Sequence, residues 1–473
     1  MRLFPLRAFT GILLLCLPLV AQQESSLPAA TQQQLTETIK SVLTATGTPS
    51  AQVGIVQHGN VVFASAFGDA RLAADGKPAV PATPQMAYGI GSISKQFTGV
   101  AVMLLVERGQ LSLDAPVSTW FPELAHSHDI TLRNLLNQVS GYEDYYTEDY
   151  LLPELAQPTS SYELVKRWTS HPLNFAPGTR WQYSNTNYVL TGLIIEKVTG
   201  QPFFQFLKTN VLDPAGLSGV VDLDTNRPAI PVGYQRFGFA APRAVQGEAK
   251  GTLSGAGQLA MPISQLMKWD TVVMHRALVI KPTSWQVLQS EVALPDGSGS
   301  GYGMGFFLGA RDSRRIIQHS GGLSGFTSLN QLYPESGNAI AVLTNSDTAT
   351  GALVSAIEAI LFAPQAAGAV ASNPATEALL KKVVSQIEAN KLDPALIAPN
   401  LAYLLTPPVL ADYRESLKPY GDITALEPLR AYERGGMDGF AYKATFSTGE
   451  QLRLSGYVTK DGKLDQLMLG RIK

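Results

Sequence analysis

Residues 91–98 read Gly-Ser-Ile-Ser-Lys-Gln-Phe-Thr, and a strongly periodic apolar segment follows them. Ser92 precedes Lys95 by three residues, so that in a helix the two side chains lie one turn apart on the same side. A neutral lysine amine in this geometry can take the proton of the serine hydroxyl, as in acyl-enzyme chemistry without a catalytic histidine. The stretch therefore predicts a nucleophilic serine at the start of a helix.

The sequence around this motif favours a tight turn into a helix. Gly89 and Gly91 precede the serine, and glycine allows a sharp turn from a strand into a helix. A left-handed helix end is expected at Gly109. The N–H groups of the first helical turn lack partners and can hold an oxyanion. The apolar residues after the motif recur on one helix face: Phe97, Val100, Ala101, Leu104 and Leu105.

Two later segments carry residue types that suit the same chemistry. Tyr183-Ser184-Asn185 follows a Pro-Gly turn; a tyrosine beside a lysine can act as a base if its pKa is depressed from about 10, and Asn185 could hold a substrate amide. Taken alone, each motif also has a purely structural explanation. Ser92 would cap the helix, and the tyrosine would pack in a turn. The histidine of the third segment, described next, would be a strand residue whose ring is hydrogen-bonded within the protein.

The third segment, residues 319–322, reads His-Ser-Gly-Gly at the end of a predicted strand. Its glycine pair, beginning at Gly321, would let a substrate backbone lie against the strand edge, and the N–H of Gly322 could be a second oxyanion donor.

The patterns predict an α+β architecture with two domains. A helix at 32–45 and a hairpin around His58-Gly59-Asn60 open the chain, and alternating strands return after residue 301. Residues 111–260 are mixed and form the predicted helical lobe beside the antiparallel sheet. The later elements are strands at 315–319, 327–333 and 339–344, with a helix at 352–361.

The C-terminal part is predicted to be a separate small α+β domain at 377–473, after a linker at 364–376 that is rich in Ala, Pro and Asn. A helical stripe is followed by alternating strands at 440–447, 451–459 and 464–469. The stripe consists of Leu380, Val383, Val384 and Ile387.

Composition excludes several partners. The chain has 473 residues, 45% of them hydrophobic and 16% charged, with a formal net charge of -2 and a sequence pI of about 6.3. A nucleic-acid partner would normally require a basic face, so none is expected. Cys16 is the single cysteine. If the chain is cleaved after this residue, the mature protein has no disulfide and no thiolate metal site.

The first residues resemble a cleaved secretory signal. Arg2 and Arg7 precede an apolar run over 11–21, which is short for a membrane span. We expect residues 1–21 to be a signal peptide, no stable membrane span after its cleavage, and a periplasmic or secreted protein. An anchor that stays attached is the alternative, and the position of Cys16 inside the apolar run argues against lipoprotein attachment.

Taken together, the three segments resemble the serine beta-lactamase and penicillin-recognising family, most closely its class C and esterase-like branch. The resemblance runs from about residue 35 to 362 and predicts a beta-lactamase-related serine hydrolase domain at 31–363. Besides the three segments it rests on Gly-Gln-Leu-Ser-Leu-Asp at 109–114, Ile-Thr-Leu-Arg-Asn-Leu-Leu at 130–136, Ser-Gly-Tyr at 140–142 and Pro-Gly at 177–178.

The resemblance implies a role for each matching position. Ser92 would be the nucleophile, and Lys95 with Tyr183 would transfer its proton. Asn185, His319 and Gly321 would contact the substrate, and the N–H groups of Ser92 and Gly322 would form the oxyanion hole. No cofactor or metal is implied. The partner would be a small molecule or peptide, and the sequence does not predict an oligomeric state.

Two positions depart from the family pattern. His319 stands where many beta-lactamases have lysine, and a mostly neutral histidine binds a carboxylate less strongly, which favours esterase or D-amino-acid peptidase activity over efficient beta-lactam hydrolysis. Residues 138–141 read Gln-Val-Ser-Gly where the family often has His-Thr-Ser-Gly. Short esters, D-amino-acid peptides and beta-lactams all stay open as substrates.

The mechanism makes an energetic demand on Lys95. A base near pH 7 needs its pKa lowered by roughly three units from about 10.4, a cost of about 4 kcal/mol that burial and a neighbouring cation can supply. We therefore expect Lys95 and Tyr183 at the desolvated floor of a cleft between the sheet and the helical lobe.

Other function classes fit less well. The six histidines include no His-Glu-x-x-His zinc motif, and no Gly-x-Ser-x-Gly elbow of an α/β-hydrolase occurs. A non-catalytic cell-wall or peptide-binding module that kept the fold is the main alternative.

Overall fold

The structure, a computed structural model, describes residues 26–147, 151–311, 314–362, 370–434 and 436–472. The helices in these ranges are α1 Ala29–Thr46, α2 Ser94–Glu107, α3 Leu132–Leu136, α4 Ser161–Thr169, α5 Asn185–Thr199, α6 Phe203–Leu207, α7 Ile263–His275, α8 Pro282–Leu288, α9 Thr350–Leu361, α10 Pro374–Glu388, α11 Pro399–Leu404 and α12 Pro407–Leu417. The strands are β1 Ser50–Gln57, β2 Asn60–Arg71, β3 Val80–Pro81, β4 Tyr88–Gly89, β5 Val221–Asp222, β6 Tyr234–Gln235, β7 Arg243–Ala244, β8 Leu259–Met261, β9 Phe307–Arg311, β10 Arg314–Leu323, β11 Phe326–Tyr333, β12 Asn338–Thr344, β13 Ile423–Arg434, β14 Met437–Phe446, β15 Gln451–Val458 and β16 Leu464–Arg471.

Strands from both ends of the first domain pair into one antiparallel sheet with the order β3-β2-β1-β12-β11-β10-β9. The predicted hairpin forms, and both His58 and Gly59 have positive φ angles, 49° and 79°, as a two-residue type I′ turn requires. Val53 of β1 lies opposite Val342 of β12, so the first and last strands are neighbours in the middle of the sheet.

Helices cover both faces of this sheet. On one face, α1 and α9 bury Leu35, Ile39 and Leu353 against β1 and β12. On the other face, α7 packs on β1 and β12, and beyond it lies the helical lobe with α2 at its centre. Every residue of α2 from Ser94 to Leu105 is buried, because this helix is enclosed by the lobe and the sheet.

The C-terminal domain has its own core. Helices α10, α11 and α12 pack on the antiparallel meander β13-β14-β15-β16, and the predicted helical stripe is buried there, for example Leu380. The predicted α+β class, with a helical lobe and a small C-terminal α+β domain, is confirmed. Residues 364–369 of the predicted linker lie outside the described ranges, and α10 begins at Pro374, two residues before the predicted end of the linker.

The two domains are in direct contact. Phe237 of the first domain belongs to the apolar core of the second, and the backbone N–H of Phe239 donates to Ser416 Oγ at 2.7 Å. Arg243 forms an ion pair with Asp412 of α12. The second domain is thereby fixed on the surface of the first.

Two elements differ from the predicted pattern. β10 continues to Leu323, because the Ser-Gly-Gly segment stays paired with β11. β13 was not predicted: it contains Pro428 and has two register shifts, so its apolar residues do not alternate. None of the described helices is long and apolar enough to cross a bilayer, and the predicted signal segment 1–21 lies outside the described residues.

Candidate active site

A single 3₁₀ turn, Gly91–Ile93, carries Ser92 into the start of α2. Gly91 has a φ of +47°, and a Cβ at this position would lie 2.8 Å from both the backbone N and O of Gly322. A Cβ on Gly321 would lie 2.0 Å from the carbonyl oxygen of Ile90. These glycines allow the turn and β10 to approach at backbone distance.

Lys95 is completely buried, and its amine has three close oxygen neighbours. Nζ lies 2.9 Å from Ser92 Oγ, 2.7 Å from Asn185 Oδ1 and 2.8 Å from the carbonyl oxygen of Ala256. Ser92 itself is half-buried, so its hydroxyl lies between the lysine and the outside. The two conditions expected of Lys95, burial and closeness to the serine, are both met.

Burial lowers the pKa of Lys95 well below its usual range. The carboxylate of Asp144 opposes this effect, and the guanidinium of Arg434 adds to it. Burial is the largest of the three causes. The cation that contributes is therefore an arginine of the C-terminal domain, and no sequence pattern connects it with this site.

Tyr183 lies beside Lys95, with the amine 5.0 Å from the centroid of its ring. The ring is partly exposed, whereas the hydroxyl is buried and has no hydrogen bond of ordinary geometry to the described residues. Burial raises the pKa of Tyr183 well above 10, although the nearby Ser92 side chain and Arg434 lower it. This direction is opposite to the depression that a tyrosine base requires, so the phenol keeps its proton.

Asn185, the first residue of α5, links Lys95 to a buried carboxylate. Its Oδ1 accepts from Lys95, and its Nδ2 donates to Asp144 Oδ2 at 3.2 Å and to the carbonyl oxygen of Tyr146 at 3.1 Å. Burial raises the pKa of Asp144 to about 6, against the lowering effect of the N–H groups that donate to it. The amide of Asn185 is thus engaged by the protein itself and orients the lysine.

His319 is almost fully buried, and both of its ring nitrogens have partners. Nδ1 donates to the carbonyl oxygen of Ser320 at 2.6 Å, and Nε2 accepts from the hydroxyl of Tyr302 at 3.2 Å. Burial lowers the pKa of His319 from 6.5 to about 3. The ring is neutral at pH 7, as expected from the sequence. It is, however, more deeply buried than a side chain that contacts a substrate needs to be.

The remaining predicted groups lie along β10. β9 pairs with β10 only up to Gln318, whereas β11 pairs with it as far as Leu323. Within the described strands, one edge of β10 from His319 to Leu323 is therefore not covered by β9. The structure brings the backbone of Gly321 and Gly322 to the turn that carries Ser92.

Sequence reasoning missed several contributors to this site. They are Asp144, the carbonyl of Ala256, Tyr302 and Arg434. Only Asp144 had a signal, since it follows the Ser-Gly-Tyr motif at 140–142 by two residues. The other three come from segments without a recognisable motif.

The fold and this arrangement define a class of protein. The chain belongs to the Beta-lactamase family, whose sequence pattern matches residues 35–365, and this is a family of serine hydrolases. A penicillin-binding protein of Bacillus subtilis (strain 168) is 26% identical over an aligned length of 325 residues, and the match covers 65% of this chain and 71% of that protein.

Solved structures agree with this assignment. A D-stereospecific amidohydrolase from Streptomyces sp. has a TM-score of 0.58 at 26% identity, covering 71% of this chain and 99% of that one. The octameric penicillin-binding protein homologue from Pyrococcus abyssi has a TM-score of 0.59 at 22% identity and covers 93% of this chain and 99% of that one. At that identity the second likeness shows the fold alone.

Proposed function

We propose that this protein is a serine hydrolase that forms an acyl-enzyme on Ser92, with Lys95 as the general base. The observation that carries the proposal is the buried amine of Lys95, 2.9 Å from Ser92 Oγ. The substrates are esters or amides. A penicillin-binding protein and a D-stereospecific amidohydrolase among the similar proteins support acyl transfer as the reaction class.

Burial supports a neutral amine at Lys95, because it lowers the pKa of this group well below its usual range. A neutral amine has two N–H donors and one lone pair. The oxygens of Asn185 and Ala256 can only accept, so they take the two N–H groups. In the structure Nζ donates to the third neighbour, Ser92 Oγ. In the reactive neutral form the lone pair takes the place of that N–H, and the serine hydroxyl donates to it. This is the arrangement that a general base needs before the serine attacks.

The reaction then proceeds by ordinary acyl transfer. Ser92 Oγ bonds to the substrate carbonyl carbon while its proton moves to Lys95 Nζ. The N–H groups of Ser92 and Gly322 stabilise the oxyanion of the tetrahedral intermediate. The bond to the leaving oxygen or nitrogen breaks as that atom takes a proton, and water repeats the sequence to release the acid.

Tyr183 acts in this scheme as a proton donor rather than as a base. Its hydroxyl is protonated at neutral pH and close to Ser92, because burial holds its pKa high. A buried phenol with no other partner among the described residues can donate to the leaving group and recover the proton from Lys95. Lys95 and Tyr183 thus remain the proposed proton-transfer pair with the two roles separated.

Aromatic rings next to the site support a preference for substrates with an apolar portion. Tyr302 and Phe307 lie beside Tyr183, with ring centroids 6.3 and 6.2 Å from its own, and Trp181 packs against both of them. Short esters and D-amino-acid peptides fit this wall. Efficient beta-lactam hydrolysis is not expected, because His319 supplies no charge.

Covalent labelling tests the proposal. The full chain is incubated with a fluorophosphonate or a fluorescent penicillin, and the labelled peptide is identified by mass spectrometry. We expect modification of Ser92, loss of the label in Ser92→Ala, and retention in Ser94→Ala, which changes a neighbouring serine of the same motif. Absence of any label, together with no hydrolysis of p-nitrophenyl esters, nitrocefin or D-Ala-D-Ala peptides, would favour the non-catalytic binding module.

Export is also part of the proposal. The basic and apolar pattern of residues 1–21 supports a signal peptide and a periplasmic or secreted location, with the hydrolase domain at 31–363, the linker at 364–376 and the small domain at 377–473. Sequencing the N-terminus of the protein purified from the extracytoplasmic fraction tests this. A mature chain that still begins at Met1 would contradict it.

A further inference from the structure

Gln138 is a fully buried residue that forms hydrogen bonds on both sides of Tyr183. Its backbone oxygen accepts from the N–H of Gln182 at 3.0 Å, and its side-chain Oε1 accepts from the N–H of Ser184 at 3.0 Å. Tyr183 is the residue between these two donors. One residue thus fixes the backbone immediately before and immediately after the proposed proton donor.

The side chain of Gln138 is itself held in one orientation. Oε1 also accepts from Asn187 Nδ2 at 2.7 Å, and Asn187 Oδ1 accepts from Ser140 Oγ at 2.6 Å. A backbone N–H can only donate, so the amide atom that faces Ser184 must be the oxygen. All four residues are buried, so these hydrogen bonds are shielded from water and hold one another in place.

The backbone of Gln138 occupies a position that usually holds glycine. The residue follows the C-cap of α3 and has a φ of 63°. Its N–H donates to the carbonyl oxygen of Leu135, and the N–H of Val139 donates to that of Asn134. This pair of bonds is a Schellman motif, in which the left-handed residue is most often glycine because a Cβ is unfavourable there. Ending the helix therefore does not explain a long polar side chain at this position.

Packing alone does not explain this side chain either. Burial raises the pKa of Tyr302 well above 10 and the Gln138 amide opposes that effect, but Nε2 makes no hydrogen bond of ordinary geometry to the described residues. A buried donor without a good partner destabilises a fold, and an apolar side chain of the same length would avoid that cost. What a glutamine supplies, and an apolar residue lacks, is the acceptor for Ser184 and Asn187.

We infer that Gln138 is a positioning residue for Tyr183, because its Oε1 holds the N–H of Ser184 so that the phenol is directed at the leaving group. This rests on the proposed role of Tyr183 as proton donor. The three hydrogen bonds of the Lys95 amine do not involve Gln138. Loss of Oε1 should therefore affect the departure of the leaving group more than the attack by Ser92.

Two esters of the same acid separate a proton-donor effect from a general loss of structure. p-Nitrophenyl butyrate has a leaving group that departs as a stable anion, whereas the leaving oxygen of ethyl butyrate needs a proton as it departs. The ratio of kcat/KM for the ethyl ester to kcat/KM for the p-nitrophenyl ester therefore measures proton donation during acylation. Both are measured on the full chain, by pH-stat and by absorbance.

Three variants at position 138 change the acceptor. Gln138→Asn tolerates the left-handed conformation, but its shorter side chain cannot reach Ser184. We expect it to lower the ratio at least about tenfold, since general acid catalysis contributes more than that. Gln138→Met, which keeps the length and has no amide, should give the same result. Gln138→Glu keeps an acceptor and should retain most of the native ratio.

Gln52→Asn is the matched control. Gln52 is also fully buried, and its Oε1 accepts from the backbone N–H of Ile263 at 2.9 Å, outside the proposed site. This variant should be less stable in urea unfolding but should keep the native ratio. Tyr183→Phe should lower the ratio by itself, and adding Gln138→Asn to it should cause no further change, because both act on the same hydroxyl.

The outcomes separate this inference from the proposed function. If fluorophosphonates do not label Ser92, its acylation is wrong. If Tyr183→Phe keeps the native ratio, or the native protein cleaves only the p-nitrophenyl ester, Tyr183 is not the proton donor and Gln138 has no such role. If Tyr183→Phe lowers the ratio but Gln138→Asn and Gln138→Met do not, or if Gln138→Asn lowers it further in Tyr183→Phe, the role of Gln138 is wrong and the hydrolase proposal stands.

Discussion

Asp144 and Asn185 are joined by two hydrogen bonds: the backbone N–H of Asn185 donates to Oδ1 at 2.8 Å and its Nδ2 donates to Oδ2 at 3.2 Å. The same amide accepts from Lys95, so the carboxylate acts on the amine through Asn185 as well as through its charge. The carboxylate of Asp144 and the guanidinium of Arg434 affect the pKa of Lys95 in opposite directions.

These opposing charges predict opposite changes in pH dependence. A lysine base is active when deprotonated, so the acidic limb of kcat/KM follows the pKa of Lys95. Asp144→Asn should move that limb to lower pH, because a charge that raises the pKa is removed. Arg434→Gln should move it to higher pH. The measurement is kcat/KM for a neutral ester between pH 5 and 9, and a shift of both variants in the same direction would contradict the arrangement.

Removing the amine of Lys95 should abolish most activity without unfolding the protein. General-base catalysis typically contributes about 100- to 10,000-fold, so Lys95→Met should lower kcat/KM by that factor. Stability should be unchanged or higher, because an apolar side chain in this buried position avoids the desolvation of the amine. Lys95→Arg should be equally inactive and less stable, since a guanidinium stays charged. Esterase assays measure the activity of the two variants, and urea unfolding measures their stability. If Lys95→Met kept a tenth of the native activity, Lys95 would be excluded as the base.

His319 should make the folded protein less stable in mild acid. The unfolded chain binds a proton on this histidine below about pH 6.5, whereas the folded protein binds it only near pH 3, so the free energy of unfolding falls as the pH decreases through this window. Between pH 7 and 4.5 the loss from this group is about 3 kcal/mol. His319→Gln should remove that part of the pH dependence, as measured by urea unfolding at both pH values. An identical loss in the variant would show that His319 is not held neutral.

Gly91 should be required for activity as well as for stability. Gly91→Ala and Gly109→Ala both place a side chain at positive φ, 47° and 69°, at a typical cost of about 1 kcal/mol. The Cβ at position 91 additionally meets Gly322, whereas position 109 has open space. We expect kcat to fall at least about 100-fold in the first variant, through loss of an oxyanion donor, and to be unchanged in the second. Urea unfolding measures the stability of the two variants, and an ester assay measures their kcat. Equal kcat values would argue against close backbone packing at the oxyanion hole.

The sequence predicted the elements whose information is local. The helix that starts after Ser92 and the positive φ of Gly109 follow from spacing and composition alone. The resemblance joined Ser92, Tyr183 and His319, which lie far apart in the chain and close together in the fold. Burial of the lysine was predicted from the pKa that the chemistry requires.

The rest depended on packing between distant segments. The depressed pKa that a tyrosine base at position 183 would need is not found, because burial of a phenol raises its pKa and no sequence pattern shows how deeply a hydroxyl lies. β13 has no regular alternation, so the strand that carries Arg434 gave no signal. A single charged residue in such a strand cannot be assigned to a site in another domain without coordinates.

The hydrogen bond from Lys95 to the carbonyl of Ala256 spans 161 residues of the chain. Until that later segment has folded over it, the lysine remains in water, where an amine with a pKa near 10.4 is almost fully protonated at pH 7. Ser92 then has no base. An unfolded chain therefore lacks a base at Ser92, and the nucleophile becomes reactive only after the segment around Ala256 has folded over Lys95.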